Sequence, residues 1–180
     1  QRLVKRQGDL LRFAARPERL EEHLGKVKDN LRSSWTTLGI NHAILHFFRA
    51  VEFDLTSLEH EAALANKMVG AIYQRHNAEN PLHGLDAPQL NIKRYQRELG
   101  QLRAKADRFR RNLKTLLTEQ RLLTRRFLTT LAQEVMGLHQ RLRQETYQWS
   151  SDALMPLMQH TLEHKQMLES HMVRLKALAQ

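Results

Sequence analysis

The sequence is poor in several residue types, and each scarcity excludes a class of protein. It contains no cysteine, so neither a disulfide framework nor a thiolate metal site is available. Seven glycines and four prolines are few for 180 residues, which favours a mostly helical chain. No apolar run approaches the roughly 18 residues of a membrane span, and no signal-peptide pattern opens the chain. We therefore expect a cytoplasmic helical protein.

The motifs of common enzyme classes are also missing. The chain has no G-x-x-x-x-G-K-[ST] motif, no G-x-S-x-G motif and no glycine-rich phosphate loop. We therefore expect no catalytic residue and no bound cofactor in this chain.

Apolar residues are spaced three and four apart along most of the sequence, as on one face of a helix. This pattern predicts two long helical rods, at about 17–76 and 88–149, joined by a turn-rich segment. Ser33 and its neighbours are weak helix formers, so a break near Ser33 stays open. A C-terminal helix is expected at about 152–180, with Pro156 in its first turn.

These elements predict an all-α fold of one domain. A short loop between long helices makes them antiparallel neighbours. We therefore expect an elongated antiparallel bundle dominated by one long helical hairpin, with the terminal helix packed along its open end. The chain starts and stops within helical pattern, so we expect it to be a fragment of a larger protein.

Positive charge is concentrated in one segment of a chain whose formal net charge is +10. Residues 93–126 hold twelve lysines or arginines against three acidic residues. One interpretation is a solvated helix face paired with acids on a neighbouring helix, such as Glu52. Another is an anionic membrane surface; nucleic acid is disfavoured because aromatics are not interleaved with the basic residues. The candidate contact residues are Arg103, Lys105, Arg108, Arg110, Arg111 and Lys114.

The loop between the two rods carries apolar residues at the tip of the predicted hairpin. Leu82 and Leu85 are candidate contacts for a lipid interface or a partner. The alternative is that these leucines fold back and plug the end of the bundle.

The ten histidines raise a metal hypothesis. His160, Glu163 and His164 form an H-x-x-E-H pattern, which on a helix presents two imidazoles to zinc with glutamate as a base. His42 and His46 also lie one turn apart. Because a catalytic zinc usually needs a third protein ligand, and the sequence nominates none, we predict no metal site here.

Two segments resemble a known family. The runs at 33–55 (SSWTTLGINHAILHFFRAVEFDL) and 151–168 (SDALMPLMQHTLEHKQML) are similar to the helical region downstream of the GTPase domain in bacterial dynamin-like proteins. The resemblance implies a helical stalk, or a regulatory bundle beside it, of a large membrane-associated GTPase. The nucleotide-binding motifs of that family do not lie in this sequence, so no functional residue is carried over.

The expected function is therefore non-catalytic. The first hypothesis is a stalk or assembly module of a dynamin-like GTPase, peripheral to a membrane, whose parent protein binds GTP and whose helices self-associate or bind partner helices. The second is a stand-alone basic adaptor for nucleic acid or a protein partner. The third is a metal-dependent hydrolase that uses His160, Glu163 and His164.

Overall fold

The computed structural model describes residues 2, 5, 17–33, 36–113 and 121–179 of the chain. Within them, five helices follow one another. They are α1 (Pro17–Ser33), α2 (Thr37–Glu79), α3 (Lys93–Arg111), α4 (Arg121–Asp152) and α5 (Met155–Leu178).

The long helix α2 is the centre of the bundle. Its 43 residues reach roughly 65 Å. A series of its buried side chains is spaced alternately four and three residues apart, which is the seam of a coiled coil. The series is Ile44, Phe48, Val51, Leu55, Leu58, Ala62, Ala65 and Val69, and Ile40, Ala43, Phe47 and Tyr73 are buried beside it.

Helices α3 and α4 also carry buried apolar stripes; α3 packs against α2, and α4 packs against α3. In α3 and the residues beside it the buried positions include Ile92, Tyr95, Leu99, Ala106, Phe109 and Leu113. In α4 they include Leu131, Val135, Leu138, Leu142 and Trp149. These side chains form one continuous core with those of α2, and their burial is the main stabilising contribution.

The chain reverses direction between α1 and α2. Thr36 caps α2, since its hydroxyl accepts a hydrogen bond from the Gly39 N–H at 3.1 Å. Arg19 and His23 of α1 then contact Asp54, far along α2. The break near Ser33 that the sequence left open is therefore present. The prediction of one rod over 17–76 is wrong, because α1 folds back along α2.

A second reversal divides the other predicted rod. Three ion pairs join α3 to α4: Arg94 with Glu145, Glu98 with Arg141, and Lys105 with Glu134. Every step forward along α3 is matched by an equal step backward along α4, so the two helices are antiparallel. The prediction of one rod over 88–149 is therefore wrong. Its apolar stripe is shared by two helices that pack on each other.

The loop at 80–92 is held along α2 by two asparagine side chains. Asn66 donates from its amide nitrogen to the Leu90 carbonyl and accepts from the Leu90 N–H, both at 2.9 Å. Asn77 makes the same pair of bonds to Leu85, also at 2.9 Å. Each amide thus satisfies a backbone donor and acceptor that no strand or helix pairs.

Two further hydrogen bonds fix the end of α4. The buried Tyr73 hydroxyl donates to the Ala153 carbonyl at 2.6 Å. The Trp149 indole donates to the Pro88 carbonyl at 3.1 Å. The end of α4 is therefore fastened both to α2 and to the loop.

Helix α5 leaves the bundle at this point. It begins where predicted, with Pro156 in its first turn, but it does not pack along the open end of the bundle. Leu157 is its last buried residue. The all-α, antiparallel bundle predicted from the sequence is confirmed, whereas the packing predicted for the terminal helix is wrong.

The Asn66 bonds give a first prediction. In the Asn66→Asp variant, a carboxylate replaces the amide donor and faces the Leu90 carbonyl. We expect a loss of about 1–3 kcal/mol in the free energy of unfolding, measured by urea denaturation. Gln89→Glu adds the same charge on the exposed side of this loop and is the control. Equal stability of both variants would contradict the role given to Asn66.

Candidate functional site

The structure divides the six predicted basic contacts into paired and unpaired residues. Arg103 donates to Glu52 at 2.7 Å, which confirms the pairing with an acid on a neighbouring helix. Lys105 lies 3.4 Å from Glu134. Arg110 contacts Asp107 at 3.0 Å and donates to Asn41 at 3.1 Å. These three cations serve the packing of α3 on its neighbours.

Two of the six face solvent. Arg108 and Arg111 are exposed and form no ion pair with another described residue. Lys114 lies outside the described residues.

Lys93 and Arg97 extend this pair along the same exposed face of α3. Residues 93, 97, 101, 104, 108 and 111 succeed one another at spacings of three and four, so they share one side of the helix. We call Lys93, Arg97, Arg108 and Arg111 the outer stripe. Lys93 and Arg97 belong to the basic segment 93–126 that the sequence singled out, but they were not among the six candidate contacts, although the helical period is enough to select them.

Among the described residues, most of the exposed large apolar side chains lie in helix α5. This helix is 24 residues long, and its large apolar side chains beyond Leu157 are each at least half exposed. They are Met158, Leu162, Met167, Leu168, Met172, Val173, Leu175 and Leu178. Exposed apolar side chains concentrated in one helix indicate an interaction site.

The two predicted tip residues differ in their surroundings. Leu82 is 90% exposed. Leu85 is half-buried against the core, where Asn77 holds its backbone. Leu90, further along the loop, is buried. The alternative that leucines plug the end of the bundle therefore describes Leu85 and Leu90, while Leu82 remains a free apolar tip.

The H-x-x-E-H pattern lies at the start of α5. His164 and Glu163 are exposed, and His160 is half-buried. The His160 ring contacts two other histidines, His76 at a centroid distance of 4.9 Å and His83 at 5.5 Å. As the described side chains stand, no three or more of the histidines, aspartates and glutamates are arranged to hold a metal ion.

A polar junction joins α1, α2 and α4. The carboxylate of Asp54 contacts Arg19 at 3.4 Å and His23 at 3.2 Å. His139 of α4 is half-buried nearby. Burial lowers the pKa of His139 from its ordinary value of 6.5, Arg143 lowers it further, and Asp54 partly opposes both.

The described helices include none with the length and apolar character needed to cross a membrane. No protein-family model, curated protein or solved structure matches the chain. Its function must therefore be argued from these surfaces.

The lowered pKa of His139 gives a second prediction. The folded protein binds fewer protons at this residue than the unfolded chain, so its contribution to stability is present above pH 6.5 and is lost as the pH falls below that value. We expect the free energy of unfolding to fall less between pH 7 and pH 5 in His139→Gln than in the unaltered protein. His60→Gln, which removes an exposed histidine of α2, is the control. Equal slopes in all three proteins would contradict the assignment.

Proposed function

We propose that this chain is a non-catalytic helical assembly module that self-associates through α5. The observation that carries the proposal is the exposure of α5 on a bundle whose other helices are packed together. A helix of this length gains little stability from its own backbone in water, so a covering partner explains its apolar composition.

The distribution of apolar residues around α5 favours other helices over a membrane as its cover. Leu168, Met172 and Leu175 lie on one face, whereas Leu162 and Val173 lie on another. A helix that lies flat on a lipid surface needs one apolar and one polar face. A helix that is apolar on several sides fits between other helices.

The charges of α5 favour a second copy of this chain as the partner. Lys165 and Glu169 flank the face of Leu168 and Met172 on one side and lie equally far from Met167. In an antiparallel pair centred near Met167, each Lys165 would face Glu169 of the other copy. Such self-complementarity is what a two-fold interface requires.

The third prediction tests this interface. Leu168→Gln, Met172→Gln and Leu175→Gln in one variant remove the apolar seam without touching the bundle core. We expect sedimentation equilibrium to show dimers for the unaltered protein and monomers for this variant. Leu82→Gln, on the exposed loop tip, should remain dimeric. Monomers of the unaltered protein at all concentrations, or dimers of the triple variant, would contradict the proposal.

We further propose that the outer stripe brings the module to an anionic membrane surface. Its four cations lie on one exposed face. Each lysine or arginine near such a surface contributes about 1 kcal/mol. The paired cations Arg103, Lys105 and Arg110 add less, because acids on the protein already neutralise them.

The fourth prediction is that Arg97→Glu, Arg108→Glu and Arg111→Glu together weaken sedimentation with anionic liposomes at least about tenfold. Arg49→Glu, Lys67→Glu and Arg143→Glu change the net charge equally at exposed positions on α2 and α4, and should bind nearly as the unaltered protein does. Equal loss in both variants would indicate net charge alone, and equal binding to neutral liposomes would exclude an electrostatic contact.

The resemblance of segments 33–55 and 151–168 suggests that the parent protein is a dynamin-like GTPase. A stalk that self-associates at a membrane would use both the exposed apolar residues of α5 and the cations of the outer stripe. A G-x-x-x-x-G-K-[ST] motif in the parent reading frame would support this proposal, and a complete frame without one would leave an adaptor in its own right.

A further inference from the structure

Methionine is concentrated in α5. The sequence contains six methionines, and four of them lie in this helix: Met155, Met158, Met167 and Met172. Each of the four is at least 46% exposed. Since the sequence has no cysteine, methionine supplies all of its sulfur atoms. An oxidant that attacks sulfur therefore meets most of its exposed targets on α5.

Met172 differs from Met167 in its place relative to the proposed self-association seam. Met172 lies on the same face of α5 as Leu168 and Leu175. Met167 is exposed to a similar degree, 54% against 58% for Met172. Its side chain, however, points about 100° around the helix from that of its neighbour Leu168, away from Met172. Pairing through the Leu168 face would therefore cover Met172 and leave Met167 exposed.

Oxidation changes the character of a methionine side chain. A peroxide oxygen forms a bond to the thioether sulfur while the O–O bond of the peroxide breaks, so the sulfur loses two electrons and the peroxide is reduced to water. The product is a polar sulfoxide. Beside Leu168 and Leu175 a sulfoxide has no hydrogen-bond donor, and burying a polar group without a partner costs free energy. Sulfoxide at Met172 therefore opposes pairing, whereas sulfoxide at Met167 stays in water.

We propose that Met172 is a site of oxidation by peroxides, and that its sulfoxide separates paired α5 helices. The site depends on the self-association through α5 proposed above. Association and oxidation oppose each other, because pairing covers the Met172 sulfur and the sulfoxide disfavours pairing. Methionine sulfoxide is reversible by dedicated reductases, so the modification acts as a switch.

Mass spectrometry of the full chain after brief treatment with hydrogen peroxide tests the position of Met172. Trypsin cleaves after Lys165 and Arg174, so residues 166–174 form one peptide that contains both Met167 and Met172. Fragment ions then report both oxidation rates in the same sample. We expect similar rates in dilute protein. Where nine-tenths of the chains are paired, Met172 should react about tenfold more slowly, because only the unpaired tenth exposes it.

Sedimentation equilibrium before and after oxidation of the dilute protein tests the consequence. In the unaltered protein we expect the dimer dissociation constant to rise at least about tenfold, since each pair would bury two sulfoxides. Met172→Leu keeps an apolar side chain but has no sulfur at this position, so oxidation should not change its own constant. Met167→Leu retains Met172, and its pairing should weaken on oxidation as in the unaltered protein.

Failure of the oxidation site and failure of self-association are distinguishable. Monomers of the untreated protein at all concentrations would contradict self-association itself, and the site would fall with it. Dimers that persist with sulfoxide at Met172, or equal weakening of the Met172→Leu dimer, would overturn the oxidation site alone. Equal oxidation rates of Met167 and Met172 in the dimer would also overturn it, because Met172 would then lie outside the seam.

Discussion

The structure depends on the coiled-coil seam of α2. A series of its buried residues repeats at four and three from Ile44 to Val69, and the helix packs against α1 and α3 and shares one core with α4. Ala62 and Ala65 are the smallest side chains in this series and lie in the stretch that the loop residue Leu90 crosses. The loop is thereby held close enough to α2 for Asn66 to bind its backbone.

The charged residues of the bundle have two roles: some form ion pairs that align neighbouring helices, and others face solvent. Arg103 with Glu52, and the three pairs between α3 and α4, fix how the antiparallel helices align. Surface ion pairs contribute little to stability, with a median of about 0–1 kcal/mol, so their role is alignment. The cations of the outer stripe have no such role among the described residues, which is why we assign them to an external anionic surface.

The all-α fold class and the helical character of most residues followed from periodicity, because the spacing of apolar residues reports a buried helix face directly. The reversals could not be predicted, because the three-four pattern continues on both sides of each one and the sequence has no proline or glycine between Ser33 and Thr37 or between Arg111 and Arg121. The side chains of Asn66 and Asn77 bind the loop across the fold, which local sequence cannot show. The contacts of the His160 ring with His76 and His83 were likewise hidden, whereas the outer stripe was readable from helical period alone.

Hydrogen–deuterium exchange of the full chain at two protein concentrations tests the central claim, that a closed bundle carries an uncovered helix on which copies pair. We predict strong protection of amides in α2, α3 and α4 at both concentrations. In α5 beyond Leu157, we predict fast exchange in dilute protein and slower exchange at high concentration. Strong protection of α5 in dilute monomer, or exchange of α5 that is independent of concentration, would contradict the account.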